Sequence, residues 1–247
     1  MTTTTRSRAG APPAPWVRTT RWLMRVQLTA TAWTIALIVL VALAAYAVAQ
    51  TRGIEPRVSI IQFIRYPGVW FGFSFAIVTA HTHIGLHVAS GLTRRSFVVA
   101  TVVVGLVAAL VWAVVGALGL ELEGVVYAAQ GWPQVAGEGG AELDPAAGFA
   151  ATAAPFALSF ATGQLSGLVV GMAYYRLGGW WGTLALPLTV APIFVVGIGG
   201  LEDGQMSLVD LDVATPVAAT LGVLVLAVTA GAYFLMVRNV PIRKVQG

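Results

Sequence analysis

The stretch HTHIGLHVASGLTRRSF, His81 to Phe97, holds all three histidines of the chain and closes on paired arginines. Apolar sequence leads into it from Gly68 and continues out of it from Phe97 to Leu118. Each flank is long enough to cross the roughly 30 Å hydrocarbon core of a bilayer as a helix. The stretch therefore reads as two membrane helices joined by a tight turn that carries two fixed positive charges. The side of the membrane on which that turn emerges decides the topology of everything else.

Working outward, the remaining apolar runs are Leu28 to Val48, Ala154 to Tyr175, Gly182 to Leu201 and Pro216 to Val237, which with Gly68 to Ser90 and Phe97 to Leu118 make six. The segments are continuously apolar, whereas strands of a membrane barrel would be short and would alternate with polar residues. With 57% hydrophobic and only 10% charged residues among 247, the chain carries too much apolar surface for a water-soluble domain. The expected fold is an all-α integral membrane protein with six transmembrane helices. The first apolar run starts too late and lasts too long for a cleaved secretory signal, so the first helix is expected to stay attached.

Charge orients the bundle. With the N-terminus inside, the inner set of segments holds Arg6, Arg8, Arg18, Arg21, Arg25, Arg94, Arg95, Arg176, Arg238, Arg243 and Lys244, eleven basic residues and no acidic one. The outer set holds Arg52, Arg57 and Arg65 together with all ten acidic residues. Retained loops collect Lys and Arg, so both termini are expected in the cytoplasm. The net charge of +4 is then accounted for by topology and contact with anionic membrane lipid, and calls for no nucleic acid.

Residues 1–15, rich in Thr, Ala and Pro, read as a disordered cytoplasmic tail, and 16–247 as one six-helix domain. Trp16 to Arg25, with Arg18, Arg21 and Arg25 at helical spacing, reads either as a short interfacial helix or as a basic flank anchoring the first crossing. Val58 to Ile64 is too short to span; it is either an outer surface segment or an extension of the second helix, with a break expected at Pro67. Gly119 to Ala153 reads as the longest loop, an acidic outer lid. LEDGQMSLVDLD, residues 201–212, is a second acidic outer stretch without the spacing of a calcium loop.

Inside the fourth span, SFATGQLSGLVVG places Ser159, Gly163, Gly167 and Gly171 four residues apart. Small residues at that interval let helix backbones approach closely, so a packing seam is expected, within one protomer or between two. The embedded GQLSG is superficially like the signature loop of ABC ATPases, but it lies within an apolar span. A phosphate-binding loop needs a lysine, and the sole lysine is Lys244. The chain itself is not expected to hydrolyse ATP or to act as an enzyme.

His83 and His87 point about 40° apart on one helical face, with His81 far from both. One helix thus offers at most two histidine ligands, and with no cysteine and every carboxylate on the outer side, further metal ligands would have to come from elsewhere. His83, His87 and Gln164 are candidates for lining an inner cavity or bonding a neighbouring helix. Proton coupling through the histidines and a histidine-held metal or haem remain open as alternatives.

Six spans, cytoplasmic ends, a basic segment before the first span and a turn of the form Gly-hydrophobic-Thr-Arg-Arg-Ser-Phe together resemble the permease subunit of type 2 ABC exporters. The resemblance implies that Gly91, Leu92, Thr93, Arg94, Arg95, Ser96 and Phe97 form a turn docking on a cytoplasmic ABC ATPase, and that Trp16 to Arg25 is an elbow helix. It implies a multi-pass protein of the bacterial cytoplasmic (inner) membrane, paired with a second permease half as homodimer or heterodimer. No cofactor is expected in this chain; ATP and Mg belong to the partner. The cargo suggested by the few polar groups in the spans is amphipathic or hydrophobic. One departure is that 201–212 does not show the short outer re-entrant helix pair usual in that family. The competing functions are a histidine-dependent metal- or haem-binding redox protein and a noncatalytic membrane scaffold.

Overall fold

A computed structural model describes residues 15–56, 58–135, 148–196 and 215–240, and the described chain is helical almost throughout. Its helices are α1 (Pro15–Arg52), α2 (Arg65–Ala89), α3 (Arg94–Gln130), α4 (Phe149–Leu184), α5 (Leu186–Val196) and α6 (Thr215–Arg238), with a single 3-10 turn, Ile61–Ile64, leading into α2. Five of these are long and apolar enough to cross a membrane, and α5 is shorter.

Several helices outrun the apolar stretches that announce them. Proline at the first helical position starts α1 at Pro15, where its missing N–H costs nothing, and no breaker follows. Trp16 to Arg25 is therefore the beginning of α1 and not a separate elbow. Residues 119–130, expected as loop, continue α3 until Gly131, whose φ of 72° closes the helix. Pro67 does not break α2, because it lies in the first turn, where amides lack helical acceptors in any case. Val58 to Ile64 leads into α2 through the 3-10 turn rather than lying apart. Residues 1–14, the whole acidic 136–147 segment and all of 201–212 lie outside the described residues.

The expected fifth span begins with a reversal at Gly178, whose φ of 81° and ψ of −177° are open only to glycine. The Tyr174 hydroxyl then reaches the Thr183 hydroxyl at 3.0 Å, a pairing that a straight helix would hold about two and a half turns apart. Ala185 N–H donates to Trp181 O and Thr189 N–H to Ala185 O, both at 3.0 Å, so hydrogen bonding continues from the end of α4 into α5. Ile193 accordingly returns to the buried cluster that holds Phe156 and Ala161 from α4.

Helix α4 is the centre of the bundle: 89% of its apolar window is buried, against none for α1. It packs on α2, α3, α5 and α6. The stripe of small residues is the reason. A Cβ on Gly163 would stand 2.9 Å from the Val69 carbonyl oxygen and one on Gly171 2.6 Å from that of Ile77, while at Gly167 the Phe73 carbonyl lies closer still. Ala76 and Ala80 complete the facing surface of α2, and Ser159 is buried at the N-terminal end of the stripe. The stripe thus packs on α2 of the same chain. Replacing Gly167 or Gly171 by Val should force the two backbones apart, costing about 1–3 kcal/mol or more from overpacking. A lowered melting temperature in detergent is expected for both, with Gly231→Ala, which meets no atom within 4 Å, left unchanged.

Candidate functional site

The helix ends segregate by charge. Thr19 and Trp22 of α1, His83 and His87 of α2, Arg94 and Arg95 of α3, Arg176 of α4 and Arg238 of α6 gather at one end of the bundle. The described acidic residues, Glu55, Glu121 and Glu123, belong to the opposite end.

At the basic end the α2–α3 connection is shorter than the sequence suggested, running only from Ser90 to Thr93. Gly91 takes φ 79°; its N–H donates to Val88 O (3.0 Å), and that of Leu92 to His87 O (3.3 Å), the double bond of a Schellman C-cap. Thr93 is extended and its hydroxyl accepts from Ser96 N–H (3.1 Å), capping α3. Arg94, Arg95, Ser96 and Phe97 therefore form the first turn of α3 rather than a loop.

His87 ties this turn together. Nε2 lies 3.2 Å from the Thr93 carbonyl and 2.9 Å from Ser96 Oγ, while Nδ1 lies 3.3 Å from the Thr19 hydroxyl of α1. A carbonyl only accepts, so Nε2 carries the hydrogen and Nδ1 accepts from Thr19. The ring also packs 5.2 Å from that of Phe97, which is fully buried. Phe97 thus supports the turn from within and offers nothing to a partner, whereas Gly91, Thr93 and Arg95 are exposed.

The other two histidines stand apart from His87. His83 meets Trp22 edge-on at 5.1 Å and approaches Thr82 and the Thr79 carbonyl; His81 is exposed and meets Tyr175 at 6.0 Å. Among the described residues, no three His, Asp or Glu side chains come together as a metal-binding group. Gln164 is 2% exposed, its amide against Gly72 of α2 and its Cβ against Gly105 of α3. It fills a three-helix contact rather than an open chamber, and its Nε2 has no hydrogen-bond partner.

The opposite end holds a site the sequence did not announce. Glu123 of α3 is 9% exposed and accepts from Ile60 N–H (2.8 Å), Ile61 N–H (3.1 Å), the Ser59 hydroxyl and Gln134 Nε2 (3.2 Å). A carboxylate is thereby placed on the unpaired amides that open the 3-10 turn and α2, where the helix dipole also favours it. Its position in an acidic run signalled a solvated face, and only the pairing with Ser59 across the fold reveals the cap.

Comparison with known proteins returns no family model, no curated protein and no solved structure that matches the chain.

Replacing His87 by Ala removes the link between α1, the turn and α3. The amides of Leu92 to Phe97 should then exchange with deuterium at least about fivefold faster, each lost hydrogen bond being worth about 1 kcal/mol. Unchanged protection would show that the turn stands without the histidine.

Proposed function

We propose that the chain is the membrane subunit of an exporter of the ABC type, crossing the membrane six times with both ends in the cytoplasm and driven by a separate ATPase. The 179–196 stretch supplies the fifth crossing: about 18 residues at 1.5 Å each give roughly 27 Å, near the thickness of the hydrocarbon core. In this reading two such halves enclose the path of an amphipathic or hydrophobic cargo. The chain does no covalent chemistry; ATP and Mg are bound by the partner.

The observation that carries the reading is the construction of the basic turn. A contact that transmits force must be stiff and joined to more than one helix. The Ser90–Thr93 turn is capped on both sides and held through His87 to α1, α2 and α3 at once. Gly91, Leu92, Thr93, Arg94 and Arg95 present its outer surface to an acidic groove on the ATPase, with Ser96 and Phe97 as internal supports. The continuous α1 departs from the elbow of that family, so the reading rests on the turn and the charge asymmetry.

The histidine-dependent redox or metal alternative is less well supported, since His87 engages both ring nitrogens within the protein. A noncatalytic scaffold would have no need of the stapled turn.

Two measurements test the proposal. The chain has no cysteine, so single thiols report orientation cleanly. Arg95→Cys should react with a membrane-impermeant maleimide only after cells are opened, and Glu121→Cys should react in intact cells; the reverse pattern overturns the topology. Co-expressed with ATP-binding-cassette subunits of the same genome, the chain should retain one through purification. Arg94→Glu with Arg95→Glu should lower that retention about tenfold by juxtaposing like charges. Retention unaffected by the double change, or transport with no ATPase present, removes the docking assignment.

A further inference from the structure

Between the start of α3 and the end of α6 lies a cleft of about 350 Å³ lined by Arg94, Arg95, Val98, Phe234, Val237 and Arg238. Three arginines and three apolar residues thus line one recess. Arg94 Nε is buried without a hydrogen-bond partner. The start of α3 adds the positive end of a helix dipole, which makes two adjacent arginines unfavourable there unless an anion is close. All three described carboxylates belong to the far end of the bundle.

The complementary occupant of a recess lined by three arginines is an anion. Its shape is constrained by the apolar lining: Phe234, in the last turns of α6, is exposed, with Val98 and Val237 buried beside it. A free inorganic anion gains nothing from that apolar lining, whereas a phosphate joined to a glycerol and acyl chains uses both parts.

We infer that the α3–α6 cleft is a binding site for an anionic phospholipid, its phosphate held by Arg94, Arg95 and Arg238 and its glycerol and upper acyl chain against Phe234. The inference does not depend on the exporter reading. It requires only that the basic end lie at a membrane surface.

The test uses the full chain in nanodiscs of mixed phosphatidylglycerol and phosphatidylcholine, with lipid retained by the released protein counted by native mass spectrometry. The wild type should keep one phosphatidylglycerol in preference to phosphatidylcholine. Arg238→Gln, an exposed surface change, should cut that preference about fivefold, the worth of one arginine at an anionic surface. Phe234→Ala should weaken retention of the lipid as well, since free phosphate ignores the apolar lining. Equal retention of the two lipids, retention unmoved by Arg238→Gln, or displacement of the lipid by excess inorganic phosphate would overturn the assignment. Arg238 and Phe234 lie outside the 91–97 turn, so lipid preference and ATPase retention fail separately. Loss of ATPase retention in Arg238→Gln without any change in lipid preference would assign the cleft to a protein contact and reject the lipid.

Discussion

Three carbonyl oxygens of α2, those of Val69, Phe73 and Ile77, occupy the space where α4 would otherwise have side chains, and the bundle is arranged around that intimacy. Lipid tails are as apolar as leucine, so burial from water does not press membrane helices together. What holds them is contact density, and glycine provides most of it by removing the Cβ that would keep the backbones apart. Once α4 is fused to α2 along its stripe, its other faces are free to accept α3, α5 and α6. A helix of small residues thereby becomes the most buried element of the protein.

Helix α2 is in turn fastened to α3 at both ends by side chains of opposite kinds. At the acidic end, Glu123 of α3 closes the open amides of Ile60 and Ile61. At the basic end, His87 of α2 reaches across the turn to Thr93 and Ser96 of α3. Both are polar groups in poorly hydrated positions, and both are satisfied, which fixes the register of α2 against α3 more tightly than apolar packing alone. Thr101 and Tyr233, whose hydroxyls lie 2.9 Å apart, make the corresponding link from α3 to α6.

How much of this could be read from residues alone depends on what each residue reports. Hydropathy located the five long apolar helices because it measures preference for lipid, but it does not measure where a helix stops. Residues 119–130 leave the apolar pattern and yet contain no proline, and the isolated Gly119 and Gly124 are tolerated within a helix, so α3 runs on to Gly131. The same reasoning explains α1, whose basic first turns are as helical as its core. Spacing on α4 disclosed a stripe of small residues but not its partner, although Gly68, Gly72, Ala76 and Ala80 of α2 repeat the same interval and were the signal that could have found it. Hydropathy ended the fourth span at Tyr175 and began the next at Gly182; only the backbone angles of Gly178 show that the chain reverses between them at a single residue. Glu123 was hidden for a different reason: a carboxylate in an acidic run looks solvated until the amides it caps are found 62 and 63 residues away.

The tight and loose parts of the molecule also constrain how it could move. Helix α4 is joined to α2 by a backbone seam and α2 to α3 by side-chain clasps at both ends, which makes these three the most tightly joined body of the chain. A push delivered at the Ser90–Thr93 turn reaches all three together, and α1 through Thr19. Relative displacement within the chain must then occur where joints are sparser. Helix α6 is held to this body by the Thr101–Tyr233 contact, by Arg176 donating to the Met236 carbonyl at 3.2 Å, and by apolar packing. The arginine-lined cleft lies across that same boundary, with Arg94 and Arg95 on the body and Arg238 on α6. An anion there would screen the repulsion between the two sides.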